Sequence, residues 1–133
     1  MHDSESRHHE RFLAEAAAEA RKSVAEGGKG VGAVLVKDET IVARSCDRTH
    51  QLNDPIAVAE MDCIRRAGRR ADQSELTLYS TGYPDMLTAG TLLQFSIGAL
   101  VVGRTALNSD SLKLLAERQL PVKFIPHTDC TSL

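Results

Sequence analysis

Apolar residues recur with two different periods in the first third of the chain. In residues 9–25 they return every three or four positions, which predicts an amphipathic helix, and they are Phe12, Leu13, Ala16, Ala17, Ala20 and Val24. The glycine-rich residues 26–30 then end the helix. Residues 31–36 and 41–45 are rich in β-branched residues and are separated by four polar positions. This pattern predicts a β-hairpin.

The rest of the chain alternates between predicted helices and strands. Asp54 followed by Pro55 is typical of a helix start, with a capping carboxylate and a proline at the first helical position. Pro84 and Asp85 open a later helix in the same manner. The predicted helices cover residues 55–69, 85–95 and 110–119, the strands cover 76–81, 99–102 and 122–125, and a polar tail covers 127–133. This order predicts an α/β protein with a mixed sheet of about five strands and helices on both faces.

Composition and charge narrow the functional classes. The 133 residues suit a single domain, and we expect a flexible segment 1–8 followed by one domain at 9–133. The net charge of -2 gives no basic field, so we expect no nucleic acid partner. No apolar run is long enough to cross a membrane, and the first residues are not a secretory signal. The three cysteines form no CxxC pair, so we expect no disulfides and a cytoplasmic location.

Two segments carry the candidate chemistry, residues 53–60 and residues 83–88. Each places an acidic side chain near the start of a predicted helix, Glu60 in the first segment and Asp85 in the second. A predicted strand lies between the two helices. We therefore expect the two carboxyl groups to belong to one site.

These segments, together with the GAVLV run at 32–36 and the VVG run at 101–103, carry a resemblance. From about residue 12 to 103 the chain resembles the nucleobase and nucleoside deaminases of the cytidine deaminase-like superfamily, in particular the cytosine, guanine and tRNA-adenosine branch. That family has a His-x-Glu motif and a Pro-Cys-x-x-Cys motif, in which the histidine and both cysteines hold zinc. The resemblance implies a three-layer α/β/α fold. It also matches the family's catalytic glutamate to Glu60.

The same resemblance places the family's three zinc ligands on Val58, Asp85 and Thr88. Valine has no lone pair and threonine has only a neutral hydroxyl, whereas a catalytic zinc takes three protein N, S or O ligands. We therefore predict no metal and no other cofactor. Glu60 would be the general acid/base or, alternatively, an inherited carboxylate that only caps its helix or hydrogen-bonds a loop. Asp85 would share a proton with Glu60 or would only cap its own helix.

The predicted substrate-binding residues surround these carboxyl groups. The resemblance places Asp47 where the family has a substrate-binding asparagine, which favours a ligand with more N–H groups. It places Tyr83 where the family lines its base pocket, with ordinary loop packing as the alternative. Val31, Val58 and Thr88 complete the predicted pocket.

Three functional hypotheses follow. The first is a zinc-independent hydrolase that acts on a nitrogen heterocycle or a related amide, with Glu60 as general acid/base. The alternative is a catalytically silent deaminase-like binding or partner subunit. The third is a nucleobase or nucleoside deaminase with unusual zinc ligands. The size of the domain, the helices on both faces and the resemblance together predict a homodimer or larger homo-oligomer, and the silent subunit would pair with itself or with an active deaminase.

Overall fold

A mixed sheet of five strands forms the middle layer of the protein. The computed structural model of the chain describes residues 2–133, with side chains from residue 5 onward. Its elements are α1 (His2–Ala25), β1 (Gly32–Lys37), β2 (Thr40–Cys46), α2 (Ala59–Ala67), a single 3-10 turn (Gln73–Glu75), β3 (Leu76–Ser80), α3 (Met86–Gln94), β4 (Ala99–Val102), α4 (Asp110–Glu117), β5 (Val122–Phe124) and α5 (Thr128–Thr131).

The strands lie in the order β2-β1-β3-β4-β5. β1 is antiparallel to both of its neighbours, whereas β3, β4 and β5 are parallel. Tyr79 on β3 is therefore opposite Val34 on one side and Val101 on the other. Because β3 and β4 run in the same direction, both end at the same edge of the sheet. The segment between Ser80 and Asp85 leaves the sheet at that edge.

Alternate residues of β1 enter two separate apolar cores, as the period of a strand requires. Val34 and Val36 pack with α1 and α5, in a cluster that includes Phe12 and Tyr79. The other face of the sheet packs with α2, α3 and α4, in a cluster of Ala33, Leu35, Cys63, Leu78, Ala89, Leu92, Leu100 and Leu115. The predicted α/β architecture, with a mixed five-stranded sheet between helical layers, is confirmed.

The contact between α1 and β1 depends on Gly32. A Cβ atom at this buried position would overlap the carbonyl oxygen of Ala16 and the amide nitrogen of Ala20. Only glycine lets the two backbones approach this closely. The small residues on this face of α1, Ala16 and Ala20, are fully buried for the same reason.

The predicted start of α2 at Pro55 is wrong. The side chain of Asp54 does not cap a helix, because Oδ1 accepts a hydrogen bond of 2.9 Å from the amide of Ile56, two residues on. That bond belongs to a turn. The helix begins at Ala59, with Val58 as an N-cap residue that makes no side-chain hydrogen bond. Glu60 therefore lies in the first turn rather than the second.

The elements near the two ends of the chain also differ from the prediction. α1 begins at His2 rather than at residue 9, and Glu5 pairs with His9 one turn later and with Lys123 at 3.2 Å. The division into a flexible segment 1–8 and a domain 9–133 concerns mobility and stays a prediction. The predicted polar tail contains the short helix α5, whose Cys130 is buried. Val24 belongs to the apolar pattern that predicts α1 but is 57% exposed, whereas its neighbour Ser23 is fully buried.

None of the helices in the described part of the chain has the combination of length and apolar character that crossing a membrane requires.

Candidate active site

Glu60 lies in the first turn of α2, and only 5% of it is exposed. Its Oε2 accepts a hydrogen bond of 3.3 Å from Oγ of Ser80, the last residue of β3. The Ser80 hydroxyl in turn accepts a hydrogen bond of 3.1 Å from the amide of Gly82. The glutamate is therefore held at the junction of the two motif segments, where α2 starts and the chain leaves β3.

The surroundings of Glu60 raise its pKa to about 7. Burial is the main cause, because it penalises the charged carboxylate. The negative charges of Asp85 and Asp47 act in the same direction, while the backbone amide of Glu60 and the Ser80 hydroxyl oppose them. Close to neutral pH, Glu60 is therefore present in both its protonated and its ionised form.

Asp85 is the N-cap residue of α3. Its Oδ1 accepts a hydrogen bond of 2.8 Å from the amide of Thr88, so the capping alternative is what the structure shows. The cap uses only one of the two carboxylate oxygens. The charge of Asp85 also raises the pKa of Glu60, so capping does not remove it from the site.

Asp47 follows β2 and is only 4% exposed. Its Oδ1 accepts hydrogen bonds from the amide of Thr49 at 3.0 Å and from the Thr49 hydroxyl at 2.7 Å. Within the described part of the chain no donor binds its Oδ2, and that oxygen is not sealed from solvent. The backbone of Asp47 is held from both sides, since its amide binds the carbonyl of Val31 at 2.8 Å and its carbonyl binds the hydroxyl of Ser23 at 2.6 Å.

The other three residues of the predicted pocket are Val31, Val58 and Thr88, of which the last two lie on the motif segments. Val58 immediately precedes α2 and is half-buried. Val31 is half-buried, and its Cγ1 would lie 3.2 Å from a Cβ atom at Gly82. Thr88 is buried in the first turn of α3, where its amide binds Asp85. That these residues contact a substrate stays a prediction.

Tyr83 makes the contacts of the loop-packing alternative. Its hydroxyl donates a hydrogen bond of 2.8 Å to the carbonyl of Thr105. Its ring centroid lies 6.4 Å from that of Phe124, at an angle of 44°. The role of Tyr83 in lining a base pocket stays a prediction.

The described side chains do not fit a zinc ion. In residues 5–133, no three His, Cys, Asp or Glu side chains come together as a possible metal site. Val58 cannot donate, and the three cysteines are buried on separate elements. The thiol of Cys63 donates to the carbonyl of Ala33 at 3.3 Å, and burial raises its pKa far above the ordinary range, which disfavours the thiolate that binds metal.

Two cavities of the described chain lie away from Glu60. One of about 500 Å³ lies between α2 and α3, beside Met61 and Phe95. Another of about 480 Å³ lies beside α4 and β5, next to Leu112 and Phe124. Glu60 lines neither of them, and only 5% of it is exposed, so the residue is buried in this conformation.

Two residues of the site were missed by the sequence reasoning. Ser80 donates to Glu60, and Ser23 holds the backbone of Asp47. Ser80 is a polar residue at the end of a buried strand, directly before the second motif segment, and this position was a usable signal. Ser23 interrupts the helical pattern of apolar residues in α1, which is a weaker one.

Comparison with known proteins identifies a family. The model of the cytidine and deoxycytidylate deaminase zinc-binding region matches residues 6–104. The chloroplastic tRNA(adenine(34)) deaminase of Arabidopsis thaliana is 41% identical over 95 residues, which are 69% of this chain and 7% of that protein. The cytosine deaminase of Candida albicans is 27% identical over 118 residues, 86% of this chain and 79% of that protein. The tRNA-specific adenosine deaminase of Agrobacterium fabrum is 37% identical over 95 residues, 69% of this chain and 62% of that protein.

Solved structures agree with these relatives. A chain from a study of A-to-I editing by tRNA:A34 deaminases has a TM-score of 0.76 and 26% identity, covering 92% of this chain and 97% of that one. The guanine deaminase of Bacillus subtilis has a TM-score of 0.67 and 29% identity, covering 85% of this chain and 71% of that one. The expectation of no nucleic acid partner is at odds with the tRNA deaminases among these proteins, and for this chain it stays a prediction. The fold and the match over residues 6–104 show that the chain belongs to the cytidine and deoxycytidylate deaminase family.

Proposed function

We propose that this chain is a hydrolase of the deaminase family that breaks a C–N bond of a nitrogen heterocycle or a related amide without zinc, with Glu60 as the general acid/base. The observation that carries the proposal is the buried carboxyl group of Glu60, held by Ser80 where the two motif segments meet. The named relatives act on cytosine, on guanine or on an adenosine of tRNA. For this chain we propose only the class of substrate, which is a nitrogen heterocycle or a related amide.

The chemistry requires one group that can both accept and donate a proton. Ionised Glu60 takes a proton from a water molecule while the water oxygen bonds to the ring carbon. Protonated Glu60 gives this proton to the ring nitrogen, which yields a neutral tetrahedral intermediate. Glu60 then moves the proton of the new hydroxyl group to the amino nitrogen, the C–N bond breaks, and ammonia leaves as the carbonyl forms. A carboxyl group with a pKa of about 7 suits both steps near neutral pH, whereas one near 4 would be a poor proton donor.

Zinc independence is supported by the donor chemistry of this chain. Zinc would supply a hydroxide at neutral pH by lowering the pKa of bound water. Holding it there takes three donors, and Val58 offers none. The proposal therefore assigns the activation of water to Glu60 alone. A deaminase with unusual zinc ligands is the competing hypothesis, and metal analysis separates the two.

A catalytically silent binding or partner subunit is the second candidate. It is favoured by the burial of Glu60, which is only 5% exposed and lines neither of the two cavities described above. An enzyme with this site would have to open the segments around Glu60 to admit its substrate. A silent subunit would need no such opening.

Screening for turnover decides between the candidates. The purified chain is incubated with amino- and oxo-pyrimidines, purines, triazines and cyclic ureas in the presence of a chelator, and ammonia release is measured. We expect Glu60→Gln to lower the activity by at least about two orders of magnitude, because general acid/base catalysis usually contributes that much to the rate. The matched control is Glu117→Gln, which makes the same change on the exposed end of α4 and should leave turnover unchanged. Turnover that survives Glu60→Gln would refute the assignment of Glu60 as the general acid/base. If none of the compounds is turned over, the silent subunit is favoured.

A further inference from the structure

A third cavity of the described chain, of about 260 Å³, lies on the face of the sheet that packs with α1, whereas α2 packs on the opposite face. The side chains of Ala99 and Val101, which alternate with Leu100 along β4, give it an apolar floor. Glu5 and His9 of α1 and Lys123 of β5 line it with polar groups. The cavity is smaller than the pockets that hold drug-sized ligands, so it suits a small metabolite.

Two donors at this cavity converge on one carboxylate oxygen. The ammonium group of Lys123 donates to Oε1 of Glu5 at 3.2 Å, and Nε2 of His9 lies 3.6 Å from the same oxygen. Lys123 belongs to β5 and His9 to α1, so the sheet and the helix each supply one of the donors. A carboxylate accepts from several donors at once. The cavity wall therefore contains a carboxylate position, which the side chain of Glu5 occupies in this conformation.

The Nε2 atom of His9 carries the proton of the ring. Its Nδ1 lies 2.7 Å from the hydroxyl of buried Tyr79, for which residues 5–133 offer no other partner. Burial raises the pKa of Tyr79 to about 12, so the hydroxyl keeps its proton. A buried hydroxyl that donates to nothing costs free energy, so Tyr79 donates to Nδ1. Burial also lowers the pKa of His9, so the ring is neutral near pH 7 and its single proton is on Nε2.

Glu5 is an occupant that a ligand can replace. Its side chain is 61% exposed and that of Lys123 is 52% exposed. An exposed ion pair of this kind contributes little to stability, so Glu5 can move aside without disturbing the core. A carboxylate from solution can then lie between Lys123 and His9. A carboxylate alone would stand beside the negative charge of the displaced Glu5, whereas a ligand that also carries an ammonium group would pair with it.

We propose that this cavity binds a small apolar α-amino acid in its zwitterionic form. The carboxylate lies between Lys123 and His9, the ammonium group pairs with Glu5, and the side chain packs on the apolar floor. Lys123 and Glu5 lie side by side, and an α-amino acid carries its two charges on one carbon atom, so both new pairs form at once. Binding here uses no part of the Glu60 site, so it goes beyond the proposed function and is separate from it.

Calorimetric titration of the purified chain compares L-valine with three compounds that each lack one of its features. 3-Methylbutanoate has no ammonium group, isobutylamine has no carboxylate, and 5-aminopentanoate is an isomer of valine that carries its charges at opposite ends. We expect L-valine to bind at least about tenfold more tightly than each of them, because only valine meets both charges and the apolar floor together. High salt should weaken the binding of L-valine.

Two variants remove the donors of the carboxylate position. Lys123→Gln removes the positive charge, and His9→Asn keeps an acceptor for the Tyr79 hydroxyl but has no group at the position of Nε2. Each should weaken the binding of L-valine several-fold, with unchanged circular dichroism. Lys29→Gln makes the same change as the first variant in the exposed loop between α1 and β1, and as the control it should have no effect.

Glu5→Gln separates the two halves of the ligand. The variant removes the negative charge that pairs with the ammonium group and also the carboxylate that occupies the site. The binding of L-valine should therefore weaken, while that of 3-methylbutanoate should strengthen, so that the preference for valine is lost. A preference that Glu5→Gln leaves unchanged would contradict the assignment of the ammonium group to Glu5.

Other results overturn the amino acid site as a whole. These are equal binding of L-valine and 5-aminopentanoate, or no binding of L-valine at millimolar concentration. Unchanged binding of L-valine in both Lys123→Gln and His9→Asn also overturns it, because the amino acid would then be held elsewhere. None of these results affects the role of Glu60, which is tested by the loss of turnover in Glu60→Gln.

Discussion

Glu60 should lower the stability of the folded chain as pH rises, and Glu60→Gln should abolish that loss. The folded structure holds the pKa of Glu60 at about 7, compared with an ordinary glutamate value of 4.5 in the unfolded chain. Between these two pH values the unfolded chain releases the proton and the folded chain keeps it. The contribution to stability is therefore full below pH 4.5, falls as pH rises, and is lost above pH 7. At about 1.4 kcal/mol for each pKa unit, the whole loss is about 3 kcal/mol.

Urea unfolding at pH 5 and pH 8 measures this effect. The free energy of unfolding of Glu60→Gln, measured relative to that of the unchanged chain, should be about 2 to 3 kcal/mol higher at pH 8 than at pH 5. This corresponds to a change of about 1 to 2 M in the difference between the urea midpoints. A difference between the two chains that is independent of pH would refute the reasoning, because Glu60 would then titrate at its ordinary value.

Asp62→Asn is a control of opposite sign on the same helix. Burial raises the pKa of Asp62, but hydrogen bonds from Arg65 and Ser45 outweigh burial and hold the pKa below the ordinary value. Ionised Asp62 therefore stabilises the folded chain, and that contribution is lost as pH falls through its folded pKa. Asp62→Asn should destabilise the chain more at pH 7 than at pH 3.

Three further predictions concern metal, assembly and pH dependence. Chain purified without chelator should contain far less than one zinc by elemental analysis, and the combined variant Val58→His, Asp85→Cys and Thr88→Cys should gain zinc; stoichiometric zinc in the unchanged chain would contradict the proposal. Light scattering at micromolar concentration should give a homodimer or larger, and a monomer would count against this. Asp85→Asn removes a charge that raises the pKa of Glu60, so the pH at which activity is half-maximal should move down, and an unchanged profile would show that the two groups are not coupled.

Most of the fold could be predicted because each layer leaves its own period in the sequence. The apolar run at Val34 and its neighbours marks a strand buried on both faces, and the spacing around Phe12 marks the helix that covers it. The start of α2 could not be predicted in this way. Asp54 and Pro55 are as suitable for a turn as for a helix start, and only the hydrogen bond from Ile56 to the Asp54 carboxylate distinguishes the two.

The site was accessible to sequence reasoning only in part. Glu60 follows from the resemblance, and the cap formed by Asp85 follows from its place after proline. The contact of Ser80 with Glu60 joins residues 20 positions apart on different elements, so no local spacing predicts it. The contacts of Tyr83 with Thr105 and Phe124 also join residues that are far apart in the chain, so local spacing does not predict them either.

The close approach of α1 to β1 at Gly32 also affects the position of Asp47. α1 carries Ser23, whose hydroxyl holds both the amide of Gly30 and the carbonyl of Asp47. A side chain at Gly32 would move α1 outward and take this hydroxyl away from the backbone that positions Asp47. In a survey of random substitutions scored for activity, Gly32 would therefore group with the residues of the site, although it has no side chain with which to contact a substrate.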